Sequence, residues 1–212
     1  MSVGMRWRTG LAVVLLAAAV TVHAGSYEDF FVAVENDDVP TVSALLRRGF
    51  DPNSRNPRGQ VGLYLALQSD SPRVAELLAA HPQIDIDAAN FDDETPLMIA
   101  ALRGDYDWAL RLLQRDARIN RDGWTPLHYA AAGPNAKVVG LLLDEGAEIE
   151  ARAPDGSTPL MMAALRGSER VVDLLLARGA ATEPRDARGL RAVDRARGSG
   201  RDYLVKRLEP RR

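Results

Sequence analysis

The sequence contains no cysteine, and only 3 of its 212 residues are histidine. Without cysteine there is no disulfide, no thiolate nucleophile and no thiolate ligand for a metal, so the fold must be stabilised by packing alone. Aromatic residues make up 6% of the chain, which predicts a core of leucine, valine and alanine. The proportions of hydrophobic residues (46%) and charged residues (26%) are those of a globular protein.

The longest apolar run lies close to the N-terminus. Arg6 and Arg8 precede an apolar segment at 11–22, which is followed by His-Ala. This order predicts a cleaved secretory signal peptide over 1–24, because a comfortable membrane span needs about 20 apolar residues. We therefore expect the mature chain to begin at Gly25 and to be exported, to a bacterial periplasm or out of the cell. An uncleaved membrane anchor is the alternative.

Charge is distributed unevenly along the remaining chain. Without Arg6 and Arg8 there are 25 basic and 29 acidic residues, a net charge of −4. Residues 25–184 hold 15 basic and 25 acidic side chains (net −10), whereas residues 185–212 hold 10 basic and 4 acidic ones (net +6). The basic end is either a partner surface or a solvated end cap. The acidic body favours a protein partner with a basic face and argues against nucleic acid.

A short motif recurs along the chain. It reads Asp-Gly-Trp-Thr-Pro-Leu-His-Tyr-Ala-Ala at 122–131 and Asp-Gly-Ser-Thr-Pro-Leu-Met-Met-Ala-Ala at 155–164, with a third copy at 93–101. Asp-Gly is typical of a turn, threonine of a helix N-cap and proline of the first helical position. A second apolar segment follows each copy and most end in glycine, which suits a helix C-terminus. The pattern predicts a repeated helix-turn-helix unit of about 33 residues.

These residues resemble ankyrin repeats. The matching elements are Asp-Gly-x-Thr-Pro-Leu, the Ala-Ala pair, Val-Val-x-Leu-Leu-Leu and the Gly-Ala-x-Ile-Glu of 146–150. The resemblance extends over 25–212 and implies an all-α ankyrin-repeat solenoid of about six helix-turn-helix units with β-turn fingers. The expected units are 25–57, 58–91, 92–121, 122–154, 155–187 and 188–212. The third unit is three residues short, so we expect a truncated finger after it.

Reactive side chains form no catalytic constellation in the sequence. His128 lies in Thr-Pro-Leu-His, where the resemblance implies a structural hydrogen bond to a neighbouring turn. His81 precedes a proline in a loop, and no two histidines have metal-ligand spacing. Carboxylate clusters such as 92–94 fall at turns. We therefore expect no catalytic residue, no metal site and no cofactor.

The resemblance implies that the chain recognises a partner protein in a concave groove. Ankyrin proteins contact ligands with their fingertips and with exposed positions of each first helix. The matching positions are Phe91, Glu94, Leu102, Arg103, Arg121, Trp124, Ser157, Leu165 and Arg166. The repeat itself does not require Trp124, which either contacts the partner or packs against the next turn. Trp108 replaces a valine of the second helix and is expected in the core.

Two narrower functions are compatible with the same resemblance. In the first, the chain is an immunity or inhibitor protein against a secreted toxin or enzyme. In the second, it is an accessory protein of a periplasmic stress enzyme. Both retain the fold and the protein partner. We expect a monomer with no stable membrane anchor after signal cleavage. A stoichiometric metal or a hydrolase activity would point instead to an enzyme.

Overall fold

The computed structural model describes residues 25–209, so the predicted signal peptide lies outside the described residues. The chain divides into two compact parts, one ending at Ile84 and one beginning at Asp85, called here the N-terminal and C-terminal parts. The described residues form helices joined by turns and loops, with one isolated bridge between Arg55 and Val61. None of these helices is long and apolar enough to cross a bilayer.

The described residues of the N-terminal part form four helices. They are α1 (25–35), α2 (Val39–Arg47), α3 (Gly62–Gln68) and α4 (Pro72–Ala79). Phe30 is fully buried and stacks on Phe50, with 4.4 Å between the ring centroids. Gly62 stands where the motif has proline, and a Cβ atom at this position would lie 3.0 Å from the ring of Phe30. Helix α3 begins after Val61 without a side-chain cap, because valine has no side-chain oxygen that could accept a backbone N–H.

The described residues of the C-terminal part form four successive helix pairs. Their helices are α5 (Pro96–Arg103), α6 (Tyr106–Leu113), α7 (Pro126–Ala132), α8 (Ala136–Asp144), α9 (Pro159–Leu165), α10 (Glu169–Ala177), α11 (Ala192–Gly198) and α12 (Val205–Leu208). A 3-10 turn at Asp202–Leu204 precedes α12. The first helices α5, α7, α9 and α11 lie side by side, and α6, α8 and α10 form a second layer against them. This is the all-α repeat architecture that the sequence predicts.

Local sequence determines where the first helices begin. The N-cap residues of α5, α7 and α9 are Thr95, Thr125 and Thr158, each extended in backbone conformation and followed by proline. Gly146 and Gly179 have φ values of +91° and +92° after α8 and α10, a left-handed conformation that glycine adopts without a steric cost. The predicted turn and cap chemistry is therefore present.

Apolar side chains fill the space between the two layers. Leu97, Leu127 and Leu160 follow the motif proline in three repeats, and each is at most 1% exposed. The small side chains of Ala130 and Ala131 are completely buried, which allows helices to approach closely. Trp108 is 9% exposed on α6, as expected for a core residue.

One turn between repeats is shorter than the others. In the turn before α5 the N–H of Asn90 donates to the carbonyl of Glu94 at 2.9 Å, and Ala153 and Ser157 form the same bond before α9 at 3.0 Å. Residues 120–124, before α7, do not form this bond. This is the truncated finger that the spacing predicts. An open depression beside it, called here the notch, is lined by Asp93, Arg118, Asn120, Arg121, Asp122 and Glu148.

Candidate protein-binding surface

The turn at 90–94 presents Phe91 to solvent in a fixed conformation. The side-chain oxygen of Asn90 accepts hydrogen bonds from the backbone N–H groups of Asp92 and Glu94, both at 2.9 Å. Asp93 has a φ of +62°, where the turns before α9 and α11 have glycine. Phe91 is 73% exposed, more than any other large hydrophobic side chain in the described part of the chain. A rigid turn therefore holds an apolar ring in water.

Glu94 connects this turn to α7. Its Oε2 accepts a hydrogen bond from Asn90 Nδ2 and its Oε1 accepts one from the hydroxyl of Tyr129, both at 2.9 Å. Burial and the Glu94 carboxylate raise the pKa of Tyr129 well above its ordinary value, so the phenol stays protonated and donates. Glu94 was predicted to contact a partner, and both of its carboxylate oxygens are engaged within the chain.

Arg121 holds the same turn from the side of the shortened finger. Its guanidinium donates to the backbone carbonyl of Asp93 at 2.8 Å and forms an ion pair with the Asp93 carboxylate. The Arg121 side chain is 18% exposed. The predicted contact residue Arg121 thus has a structural role, because it fixes the conformation of the turn that carries Phe91.

Trp124 is half-buried and packs within its own repeat. Its ring lies edge-on to His128, with 5.3 Å between centroids and 79° between planes, and 6.5 Å from the ring of Tyr129. Both ring partners belong to the repeat that contains Trp124. A contact between Trp124 and a partner stays a prediction.

His128 links two repeats through a buried imidazole. The backbone N–H of Thr125 donates to Nδ1 at 3.2 Å, so the ring proton is on Nε2, which lies 3.0 Å from the carbonyl oxygen of Ser157. Burial lowers the pKa of His128, and the bond to the Ser157 carbonyl opposes this shift only in part. The imidazole is neutral and structural, as the resemblance implies.

The expectation that Ser157 is exposed at a fingertip is wrong. The residue is 1% exposed, and its hydroxyl donates to Asp155 Oδ2 at 2.9 Å and accepts from Arg195 Nη2 at 3.2 Å. Arg195 also pairs with the buried carboxylate of Asp186. Ser157 is enclosed because the last repeat places this arginine over it, so a partner cannot reach its side chain without displacing Arg195.

The remaining predicted residues lie at the ends of two first helices. Leu102 is 37% exposed and Arg103 is exposed at the end of α5. At the equivalent positions of α9, Leu165 is half-buried and Arg166 is exposed. Both helices contact α7, so these side chains occur on neighbouring elements of one layer.

Sequence reasoning did not select Tyr129, which shares a hydrogen bond with Glu94 and an aromatic contact with Trp124. It follows His128 in the motif, at a position where other repeats have Ile99 and Met162. Variation at this single position was the available signal. In the part of the chain that is described, no three His, Cys, Asp or Glu residues are grouped so that they could hold a metal ion.

The helix pairs and their turns define a class of helical repeat proteins. The family model for ankyrin repeats (3 copies) matches residues 30–122 and 116–186. The chain belongs to the ankyrin repeat family. Ankyrin repeats mediate protein–protein interactions and are generally not enzymes, so the chain is a protein-interaction module.

Curated relatives share the repeats over about half of this chain. Transient receptor potential cation channel subfamily A member 1 of Homo sapiens is 29% identical over 119 residues, and B-cell lymphoma 3 protein homolog of Mus musculus is 30% identical over 118. Neurogenic locus notch homolog protein 2 of Homo sapiens is 33% identical over 106 residues. These matches cover 55%, 52% and 49% of this chain, but only 11%, 26% and 4% of the respective relatives.

A solved structure matches nearly the whole chain. It is a chain from the complex of the predatory endopeptidase Bd0816 of Bdellovibrio bacteriovorus with the immunity protein Bd3460. The TM-score is 0.72 at 24% sequence identity, and the match covers 85% of this chain and 96% of that one. The likeness shows a common fold.

Proposed function

We propose that this chain is a non-enzymatic module that captures a partner protein in a concave groove formed by the turns and first helices of its repeats. The observation that carries the proposal is the exposure of Phe91, Leu102 and Arg166 on those elements, in a family of binding modules. Aromatic and arginine side chains are enriched at binding hot spots. The net charge of −10 over 25–184 favours a partner with a basic face, because opposite charges speed the encounter.

We further propose that the protein is exported and acts in a bacterial periplasm as a monomer. The support for export is the order of three features: Arg6 and Arg8, then the apolar segment at 11–22, then the small residue Ala24. Cell fractionation and the mass of the purified protein test this. A chain that retains 1–24 in the inner membrane would contradict it.

A second candidate is an immunity or inhibitor protein with one tightly bound target. It is favoured by the structural match to a chain from an endopeptidase–immunity protein complex. A sub-nanomolar Kd together with loss of the target's enzymatic activity on binding would support this function over a general adaptor. Stimulation of the target would instead support an accessory protein of a periplasmic enzyme.

Affinity capture from periplasmic extract with residues 25–212 tests the main proposal. Arg166→Ala is expected to reduce recovery of the partner about tenfold, because it removes an exposed arginine from the predicted groove. Arg170→Ala is the matched control, since Arg170 is also exposed but lies on α10 in the other helical layer. Equal recovery by the two variants would contradict binding through the first helices.

A further inference from the structure

Phe91 is exposed without a structural reason. At the same position, the turns before α9 and α11 have Pro154 and Ala187, so the turn does not require an aromatic residue. A ring that is 73% exposed contributes little to the free energy of folding, because most of its apolar surface stays in water. A small residue at position 91 would serve the fold as well.

The turn that carries Phe91 is held in one conformation by hydrogen bonds and an ion pair. Asn90 closes it from within, Glu94 ties it to α7, and Arg121 binds its backbone and its Asp93 carboxylate. Side chains held in place before association lose less conformational entropy when a partner binds. The turn is therefore suited to presenting Phe91 to another molecule.

The notch begins at the same turn, since Asp93 lines it. The shortened finger before α7 borders this space with Asn120, Arg121 and Asp122, and Glu148 lines it from the following repeat. The acidic residues on and beside it are Asp92, Asp93, Asp122 and Glu148, and the basic residues are Arg118 and Arg121. Arg121 is paired with Asp93, which leaves the carboxylates of Asp92, Asp122 and Glu148 against Arg118, so the surface next to Phe91 is negative.

We propose that Phe91 and the notch together form a two-point docking site for a folded protein partner. That partner offers an apolar cavity to Phe91 and inserts a protrusion bearing lysine or arginine into the notch. Charge complementarity and the missing turn determine this choice of partner. The inference rests on the proposed function, because it specifies which part of the surface captures the partner and with what chemistry.

Site-specific photo-crosslinking in the source cells tests the site. The photoreactive residue p-benzoylphenylalanine replaces Phe91 in the full chain, with a matched control at Ala187, which is exposed at the same turn position of the last repeat. A third probe replaces Arg166. We expect a product at position 91 and none at 187, with the crosslink in an apolar segment of the partner flanked by lysine or arginine.

The partner that crosslinking identifies, once purified, allows its affinity for this chain to be measured. Phe91→Ala is expected to raise the Kd at least tenfold, whereas Tyr106→Ala, which trims an exposed aromatic residue of the second-layer helix α6 (37% exposed), leaves it unchanged. Asp122→Lys is expected to slow association and to weaken its dependence on salt. Phe91→Leu, which keeps an apolar side chain, should restore part of the affinity.

The outcomes separate this site from the proposed function. A product at position 166 without one at 91, equal products at 91 and 187, or a Kd for Phe91→Ala within a factor of two of the original chain would overturn the docking site alone. A crosslinked segment without basic residues would overturn the assigned chemistry. No product at either 91 or 166 would overturn both the docking site and capture by the first helices.

Discussion

His128 stands at a motif position that methionine occupies in two other repeats. The sulfur atoms of Met98 and Met161 accept the N-cap backbone N–H at 3.5 and 3.4 Å, as Nδ1 of His128 does at 3.2 Å. The imidazole adds a second bond, from Nε2 to the Ser157 carbonyl. Unlike these methionines, the histidine also bonds to the turn of the following repeat, so it couples two repeats where methionine completes a single cap.

This difference predicts a pH dependence of stability. The pKa of His128 in the folded protein lies below its ordinary value of 6.5, so its contribution is complete above pH 6.5 and is lost as the pH falls towards the folded pKa. The loss can reach about 1.4 kcal/mol per pH unit. His128→Met should abolish this part of the dependence and lower stability at pH 7.5 by about 1–3 kcal/mol, because the Ser157 carbonyl loses its donor.

Urea unfolding of both proteins at pH 7.5, 6.5 and 5.5 measures the effect. The free energy of unfolding should fall more steeply with acid in the original chain than in His128→Met. Parallel pH profiles would show that His128 is not held neutral in the folded state.

At the scale of elements, α7 and the end of α9 approach through Gly167. A Cβ atom on Gly167 would lie 2.2 Å from the carbonyl oxygen of Ala131 and 2.8 Å from Cα of Ala163. The guanidinium of Arg201 donates to the carbonyl oxygens of Ala163 and Gly167 in the same region. The backbone at the end of α9 is thus enclosed from both sides, and there is no room for a side chain at position 167.

Gly167→Ala is therefore expected to lower the free energy of unfolding by about 1–3 kcal/mol or more, since the contact with backbone atoms cannot relax by rotating a side chain. Gly140→Ala is the matched control, because its Cβ would meet nothing closer than Leu174 Cδ2 at 3.8 Å. Within α8 that substitution should raise stability by about 0.5–1 kcal/mol. Chemical denaturation of the two variants tests the prediction, and a Gly167→Ala protein of unchanged stability would contradict the close approach.

Local sequence was sufficient to predict most of these elements. Thr158 and the proline after it start α9 through bonds within one turn of helix, and Gly146 ends α8 by its own conformation. The burial of Ser157 was not predictable, because it depends on Arg195, which is 38 residues further along the chain. The structural role of Arg121 was not predictable for the same reason, because its partner Asp93 lies 28 residues earlier.

The candidate surface was predicted less completely than the fold. Exposure of Phe91 and Arg166 follows from their places in the repeat, and the sequence is sufficient for that. The role of Tyr129 requires knowing that its hydroxyl reaches Glu94, 35 residues earlier. The exposure of these two residues could be inferred from the repeat pattern, whereas the residues that hold the surface in place depend on pairings between repeats.

At the scale of the whole molecule, many basic side chains of the C-terminal segment pair with carboxylates of the chain itself. Arg195 pairs with Asp186, and Arg207 pairs with Asp173 and Glu169 on α10. Burial raises the pKa of Asp186, but hydrogen bonds from backbone N–H groups and from Arg195 more than offset this, so its pKa lies below the ordinary value. These pairings favour the end-cap interpretation of the basic segment over a partner surface.

We propose that the turns and first helices bind the partner and that the second helices do not. Hydrogen–deuterium exchange of the chain alone and in complex with its captured partner distinguishes the two layers. We expect slower exchange at 90–94 and 120–124 and in α5, α7 and α9, with α6, α8 and α10 unchanged. Protection confined to α6, α8 and α10 would contradict it.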